Sequence, residues 1–303
     1  MNWEFVNNLD EYIKMQRYRL VNSVLVYQND ELVFERYYNK FIQDSRNQIK
    51  SVWKSILSLT LGICLKKGQI KDINEPISRY LPQFAQNIHP YHKSITILHL
   101  LTMSSGIYWN GGIHYHCPML EQMRRSRDWI AHIADVKPAD FPGTKFVYKE
   151  WDVILLSALI GSACGGSAWD ICRDYLYKPL GIANDKWTQS KCGVDYPSWG
   201  ADTTSDLTAR DMAKIGLLML HDGEWNGSKI VSKDYVKMSM TPSATDADYG
   251  LLWWLSEEGC HGRGYGGQEL NIYPDKNIVA VVQATVTPSC KGYHDICENI
   301  IGN

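Results

Sequence analysis

The stretch that decides the fold is "SVWKSILSLTLGICLKKGQI", residues 51–70, which places a serine, a lysine and a run of leucines on one predicted helix. Ser51 and Lys54 are three positions apart, so on a helix both side chains lie on the same face and the ammonium group can reach the hydroxyl. A serine at a helix start also has its Oγ near backbone N–H groups that favour developing negative charge. This pattern is typical of a serine nucleophile. The alternative interpretation is a helix-capping serine followed by a solvated lysine.

Three features of the surrounding sequence favour the catalytic interpretation. The residues after Lys54 are apolar enough for a core helix, where an inward lysine needs a partner or a function. In "FPGTKFVYKEWDVILLSALIG" (141–161) a Pro-Gly turn leads into a short strand-like stretch that ends at Tyr148 and is followed by a helix. In "GCHGRGYGGQELNIYP" (259–274) closely spaced glycines let the backbone approach another group, as an edge strand beside a substrate does.

Strand patterns occur at both ends of the chain. The segment "NSVLVYQNDELVFERYYN" (22–39) alternates apolar and polar residues on both sides of Asn29 and Asp30, which predicts a β-hairpin with a tight turn. Further strands are predicted in three later segments, "YGLLWWL" (249–255), "GGQELNIYP" (266–274) and "NIVAVVQATV" (277–286).

Between these ends, from residue 50 to about 200, the pattern is mainly helical. Strands at both ends with helices between them predict an α+β fold, in which the two ends share one sheet. We therefore expect one catalytic domain over 1–303, with a sheet lobe from 1–49 and 200–303 and an inserted helical lobe from 50–199. The cleft between the lobes is the expected binding site.

Composition is that of an ordinary globular protein, with 45% hydrophobic and 21% charged residues and a formal net charge of −2. This charge gives no reason to expect nucleic acid or an anionic membrane as a partner. The first twenty residues lack the basic and apolar regions of a signal peptide and predict an amphipathic helix. The prediction is a cytoplasmic protein that acts on a small molecule, without a membrane or nucleic-acid partner. The oligomeric state is left open.

Cysteine and histidine usage gives no clear metal pattern. The eight cysteines form no C-x-x-C pair, which fits reduced thiols. His114, His116 and Cys117 stand close together in "HYHCP", but no second cluster completes a tetrahedral set. We interpret this stretch as a surface loop or the rim of the active site, and predict neither a metal nor an organic cofactor.

Taken together, these segments resemble one family, the serine β-lactamase-related hydrolases. This family includes class C β-lactamases, D-alanyl-D-alanine carboxypeptidases, β-lactamase-like esterases and 6-aminohexanoate-dimer hydrolases. The S-x-x-K helix, "ITILHLLTMSSGI", "FPGTKFVYKEWDVILLSALIG", "YKPLGI" and "YGLLWWL" occur in the family's order, and "GYGGQ" is similar to the glycine-rich strand of the dimer-hydrolase and esterase branch. The resemblance spans roughly 20–300 and implies a β-lactamase/transpeptidase-like fold.

The resemblance also implies roles for particular residues. Ser51 would be the nucleophile, Lys54 and Tyr148 the proton-transfer pair, and the backbone N–H groups of Ser51 and Tyr265 the oxyanion hole. Tyrosine and lysine both titrate near 10 when free, so the two side chains form a coupled system, and the sequence does not decide which one carries the proton.

Three positions depart from the family pattern. Glu150 stands where the lactamases usually place asparagine, and Met103 stands where many relatives have histidine. The position of the lactamases' strand lysine falls on Gly262, or on His261 with a shift of one residue, and Arg263 follows.

These departures bear on the substrate. We predict that Glu150 either pairs with Lys54 or accepts a substrate ammonium. The alternative is an exposed glutamate favoured by the helix dipole. The full set of predicted substrate-binding residues is Glu150, Trp109, His261, Arg263 and Gly264.

The expected function is a serine hydrolase acting on a small amide, ester or short peptide. The alternatives are a β-lactamase or D,D-peptidase, and a non-catalytic protein that uses the same fold to bind a ligand or to assemble. Retention of Ser51, Lys54 and Tyr148 together argues against loss of chemistry, because a scaffold has no physical need for an inward lysine.

Overall fold

An antiparallel sheet built from the two ends of the chain organises the fold. The computed structural model describes residues 1–112, 117–183, 186–198, 204–287 and 292–302. The strands are β1 (Val21–Gln28), β2 (Glu31–Tyr37), β3 (Arg46–Gln48), β4 (Asp206–Thr208), β5 (Glu224–Trp225), β6 (Ser228–Lys229), β7 (Trp254–Leu255), β8 (Cys260–Gly264), β9 (Gln268–Tyr273) and β10 (Ile278–Ala284).

The helices lie at both ends of the chain and fill its middle. They are α1 (Trp3–Asn7), α2 (Leu9–Ile13), α3 (Val52–Lys66), α4 (Ile97–Leu101), α5 (Pro118–Arg125), α6 (Trp129–Ala134), α7 (Glu150–Cys164), α8 (Ala168–Cys172), α9 (Lys178–Leu180), α10 (Ala209–Leu220), α11 (Lys233–Ser239) and α12 (His294–Ile301). A π-helical turn at Arg173–Tyr177 joins α8 to α9.

The main sheet has the strand order β2-β1-β10-β9-β8-β7, and every pair in it is antiparallel. The N-terminal hairpin therefore pairs directly with the C-terminal strand β10, and the helical segment is inserted between them. This confirms the predicted α+β class, in which both ends of the chain share one antiparallel sheet. The lobe boundaries remain a prediction.

The hairpin turn is the one that the sequence predicts. Asn29 and Asp30 join β1 to β2 with φ values of 51° and 66°. Two consecutive residues with positive φ are typical of a type I′ turn, whose twist matches that of the flanking strands. Asparagine and aspartate tolerate this conformation better than other non-glycine residues.

Alternating residues of the sheet face two different hydrophobic clusters. On β10, Val279 and Val281 belong to the larger cluster, which contains the inward residues of α3, α7 and α10. Ile278, Ala280 and Val282 belong to a smaller cluster with residues of α1, α2 and α12. Helices thus cover both faces of the sheet, and a residue's position along a strand decides which cluster it contacts.

Two predicted elements differ from the structure. The first twenty residues form α1, α2 and a 3₁₀ turn rather than one helix, with consecutive asparagines at the break between α1 and α2. In 249–255 only Trp254 and Leu255 are strand, because Leu252 has a φ of 61° and the Gly250 amide donates to the Trp253 carbonyl. The apolar run in "YGLLWWL" therefore reflects a buried tight turn before β7.

The seven cysteines in the described part of the chain are free thiols. Across the described ranges, no single helix is long and apolar enough to cross a membrane. The segments Glu150–Cys164 and Ala168–Leu180, bent by 72°, meet that length and composition test only as a pair.

Candidate active site

Ser51 stands at the N-terminus of α3, at a sharp change of chain direction. It follows β3 and Lys50, which has a φ of 50°. Within the described part of the chain, the Ser51 side chain caps no backbone amide of α3, and its Oγ faces Lys54 instead. The interpretation of Ser51 as an ordinary helix cap is therefore wrong.

Lys54 lies in the protein interior and is 1% exposed, which also excludes the solvated-lysine interpretation. Three oxygens of the described residues accept hydrogen bonds from its Nζ: Ser51 Oγ at 2.9 Å, Glu150 Oε1 at 2.9 Å and Ser198 Oγ at 3.2 Å. An ammonium group has three N–H donors, so these acceptors match its capacity. The arrangement offsets the cost of removing a charge from water.

Glu150 supplies the negative charge of the site. Its Oε1 pairs with Lys54, and its Oε2 accepts a hydrogen bond of 2.8 Å from the hydroxyl of Tyr196. The residue is buried, so the exposed-glutamate alternative is wrong. Of the two remaining hypotheses, the structure shows the pairing with Lys54. Both carboxylate oxygens thus contact donors of this chain, which gives no support to direct binding of a substrate ammonium.

The charges determine which group holds the proton at rest. Burial alone would lower the pKa of Lys54, but the attraction of the Glu150 carboxylate raises it above the ordinary lysine value. Burial raises the pKa of Tyr148, and together with the charge of Glu150 this effect outweighs the opposing charge of Lys54. The resting site therefore holds an ammonium at Lys54 and a neutral phenol at Tyr148, which the sequence left open.

Aromatic packing and one backbone contact hold Tyr148 beside this pair. Its ring stacks on Trp254 with centroids 5.5 Å apart, and Lys54 Nζ lies 5.1 Å from the ring centre. The preceding residue, Val147, donates its amide to the carbonyl of Met103, which has a φ of 53°. The stretch that ends at Tyr148 is irregular rather than strand-like, and the turn at Met103 positions it.

A second buried ion pair fixes the start of α7. Lys149 Nζ lies 3.5 Å from Asp152 Oδ2 and 3.2 Å from Ser105 Oγ, and the side chains of the ion pair are fully buried. Glu150 and Asp152 thus extend from the first turn of the same helix toward different lysines. Because buried charges need partners, this network orients the helix start that carries Glu150.

The glycine-rich strand β8 lies beside α3. A Cβ at Gly262 would lie 3.2 Å from Val52 Cγ1, and one at Gly264 would lie 2.3 Å from the carbonyl oxygen of Ile49. Glycine is therefore required at 264, where β8 passes the chain that leads to Ser51, and the space for a side chain at 262 is tight. Tyr265 follows directly, and its N–H as an oxyanion donor stays a prediction, as does substrate binding at Gly264.

His261 and Arg263 face the side of the sheet opposite to α3, so this geometry does not support their predicted contacts with substrate, which stay a prediction. His261 Nδ1 lies 2.6 Å from Asn271 Oδ1, and burial lowers its pKa to about 4. Arg263 Nε lies 4.0 Å from Glu269, which contacts His294 of α12. Successive side chains of a strand point to opposite faces of the sheet. Because Gly262 and Gly264 face α3, His261 and Arg263 face the other side.

The remaining predicted residues lie near the start of α7 or outside the described residues. Trp109 is half-buried and packs edge-on against Trp151, with ring centroids 4.9 Å apart. Trp151 follows Glu150 in the chain, so Trp109 lies near the start of α7, and a cleft-lining role stays a prediction. His114 and His116 lie outside the described residues, and Cys117 donates from its thiol to the carbonyl of Asn110.

Sequence reasoning missed two residues of the site, Tyr196 and Ser198. Both lie in irregular chain near the end of the described range 186–198, and their side chains reach Glu150 and Lys54. No motif surrounds them, because two hydroxyls at alternate positions of a loop are common in any sequence. The weak available signal was this i, i+2 spacing, which places both side chains on one side of an extended chain.

Comparison of the sequence with known proteins identifies a family and several relatives. The family model described as Beta-lactamase matches residues 7–295. The 6-aminohexanoate-dimer hydrolase of Paenarthrobacter ureafaciens is 24% identical over 309 residues, covering 92% of this chain and 76% of that protein. The D-alanyl-D-alanine-carboxypeptidase/endopeptidase AmpH of Escherichia coli K12 is 27% identical over 149 residues, covering 48% of this chain and 38% of that protein.

Solved structures show the same fold. A putative beta-lactamase from Bacteroides dorei DSM 17855 superimposes with a TM-score of 0.80 at 17% identity, covering 99% of this chain and 98% of that one. EstCE1, a hydrolase with promiscuous acyltransferase activity, gives a TM-score of 0.73 at 13% identity, covering 97% and 96%. The family model spans every strand of the sheet and the segment that carries Ser51, Lys54 and Tyr148, and the chain therefore belongs to the Beta-lactamase family of serine hydrolases.

Proposed function

We propose that this protein is a serine amidase or esterase that cleaves a small amide or ester, or a short peptide, through an acyl-enzyme on Ser51. The observation that carries the proposal is the 2.9 Å contact between Ser51 Oγ and the buried ammonium of Lys54. A serine hydroxyl is a weak nucleophile until its proton is removed and its developing charge is stabilised. Tyr148 is the candidate group for removing the proton, and the ammonium of Lys54 is the candidate group for stabilising the charge.

The protonation states favour a concerted transfer of two protons. As Ser51 Oγ forms a bond to the substrate carbonyl carbon, its proton passes to the Tyr148 oxygen. The phenol proton of Tyr148 passes at the same time to the nitrogen or oxygen of the leaving group, whose bond to the carbonyl carbon breaks and leaves the acyl group as an ester on Ser51 Oγ. Lys54 keeps its charge throughout and stabilises the negative charge that develops on the two oxygens. Water then attacks the ester carbonyl by the reverse proton path, which releases the acid and restores Ser51.

Amide or ester chemistry is favoured over the rival functions by the relatives and by Glu150. A relative that matches most of this chain is named 6-aminohexanoate-dimer hydrolase, and a structural neighbour is named a hydrolase with promiscuous acyltransferase activity. Glu150 carries a carboxylate where asparagine would donate to a lactam carbonyl, and a carboxylate accepts hydrogen bonds only. We propose the N–H groups of Ser51 and Tyr265 as the donors to the substrate oxygen.

Intact-protein mass after exposure to a fluorophosphonate, and separately to a penicillin, tests the proposal. We expect the wild type to gain a fluorophosphonate adduct and Ser51→Ala to gain none. A stable or transient penicillin adduct that depends on Ser51 would favour the β-lactamase or D,D-peptidase alternative. If neither reagent labels the wild type, Ser51 is not activated, and the non-catalytic alternative replaces the proposal.

A further inference from the structure

Ser198 contacts both the nucleophile and its lysine. Its Oγ lies 3.4 Å from Ser51 Oγ and 3.2 Å from Lys54 Nζ, and Lys54 Nζ lies 2.9 Å from Ser51 Oγ. The three polar atoms therefore form a closed triangle. Ser198 is 8% exposed, so its hydroxyl has little access to bulk water.

The segment that carries Ser198 is held in place from several sides. Ser157 of α7 donates from its hydroxyl to the carbonyl of Asp195 at 2.7 Å, and the Asp195 carboxylate accepts the amide of Trp169 at 2.8 Å. Tyr196 donates to Glu150 from the next position. Tyr196 and Ser198 thus both direct their hydroxyls into the site, toward Glu150 and Lys54 respectively.

The number of donors and acceptors decides which serine donates the hydrogen bond between Ser51 and Ser198. The ammonium of Lys54 is a donor only, so both serine oxygens accept from it. Ser51 must direct its own proton toward Tyr148 in the reactive arrangement. Once that proton has left, Ser51 Oγ can only accept hydrogen bonds. In the contact between the two serines, the hydroxyl of Ser198 must therefore be the donor.

We propose that Ser198 is a further catalytic residue, whose hydroxyl donates a hydrogen bond to Ser51 Oγ as negative charge develops there. This inference rests on the proposed function, because it assigns a role within the same acylation step. A separation of 3.4 Å is long for a hydrogen bond between hydroxyls at rest. It shortens as Ser51 Oγ becomes charged, so the interaction is stronger in the transition state than in the ground state.

Interactions of this kind change the rate of the chemical step rather than the affinity for the substrate. Removing one preorganised donor at an oxyanion typically costs about 100- to 1000-fold in rate. Because Lys54 still donates to Ser51 Oγ, we expect a smaller loss for Ser198→Ala, about 10- to 100-fold in the limiting rate of fluorophosphonate labelling. The half-saturating concentration of the reagent stays unchanged.

The experiment compares labelling kinetics of the wild type, Ser198→Ala, Ser198→Thr and Ser157→Ala over a range of fluorophosphonate concentrations. Ser198→Thr keeps the hydroxyl and is expected to label faster than Ser198→Ala by about 5-fold or more. Ser157→Ala is the matched control, since it removes a buried hydroxyl that holds the same segment without contacting a reacting atom. Thermal unfolding of each variant separates loss of chemistry from loss of structure.

Each outcome decides between the roles. A lower limiting rate in Ser198→Ala alone, with recovery in Ser198→Thr, supports the proposal. Equal loss in Ser157→Ala and Ser198→Ala, or a wild-type limiting rate in Ser198→Ala, overturns it and leaves the proposed function intact. If the wild type itself is not labelled, the proposed function fails and this inference fails with it.

Discussion

Replacing Glu150 with glutamine removes the charge that neutralises the ammonium of Lys54. The two groups lie 2.9 Å apart, and their side chains are 8% and 2% exposed. At this distance, Coulomb's law gives an attraction of about 6 kcal/mol for an effective dielectric constant of about 20. Breaking a buried pair by removing one partner typically costs about 3–5 kcal/mol, because the other charge is left without compensation.

Glutamine keeps an oxygen that accepts a hydrogen bond from Lys54, so the lower end of that range applies. We expect Glu150→Gln to lose about 3 kcal/mol of unfolding free energy at pH 7. The loss is a large part of the roughly 5–15 kcal/mol that stabilises most domains. Activity falls as well, since the position of the ammonium beside Ser51 depends on the same contact.

The loss should also depend on pH. In the wild type the pKa of Lys54 is raised above 10.5, so the contribution of the pair is fully present at neutral pH and is lost only as pH rises through that raised pKa. In Glu150→Gln the effect of burial dominates and lowers the pKa of Lys54. Between this lowered pKa and the unfolded-state value of about 10.5, Lys54 is protonated in the unfolded state and neutral in the folded state. The unfolding free energy of Glu150→Gln therefore rises with pH over that window. The deficit relative to the wild type therefore shrinks between pH 7 and pH 9.

Urea unfolding followed by tryptophan fluorescence measures both effects, and the 11 tryptophans provide the signal. Glu11→Gln is the matched control, because Glu11 pairs with Lys14 at the surface, where the two side chains are 73% and 68% exposed. We expect this control to match the wild type. A loss below about 1 kcal/mol at pH 7 in Glu150→Gln, or the same loss at pH 7 and pH 9, would refute the reasoning.

Three further predictions concern Tyr148 and two residues of β8. Tyr148→Phe removes the proton carrier and should lower the rate of serine labelling by about 100-fold or more with little change in melting temperature, and an unchanged rate would exclude Tyr148 from proton transfer. Gly264→Ala places a Cβ 2.3 Å from the carbonyl oxygen of Ile49, so both stability and labelling should fall, whereas Gly166→Ala, whose nearest neighbour would be 3.8 Å away, should behave as the wild type. Arg263→Ala should leave KM for a small ester unchanged, because the side chain faces α12, and a raised KM would restore Arg263 as a substrate contact.

The sequence by itself determined the parts of this protein that depend on local spacing. The contact of Ser51 with Lys54 follows from their separation of three positions on a helix. The turn at Asn29 and Asp30 follows from residue types that tolerate positive φ. The alternating and helical stretches indicated an α+β fold with both chain ends in one sheet. Each of these depends on neighbours a few positions apart, where backbone geometry leaves few alternatives.

The tertiary structure decided the parts that depend on distant residues. Glu150 meets Lys54 across 96 positions, and Ser198 meets it across 144, in a segment without a motif. The face of the sheet on which His261 and Arg263 lie depended on a register of one residue, which the glycine pattern alone did not fix. A local pattern states which side chains share a face, but only packing brings two faces together. Burial then sets the protonation of Lys54, because the cost of an interior charge depends on everything that surrounds it.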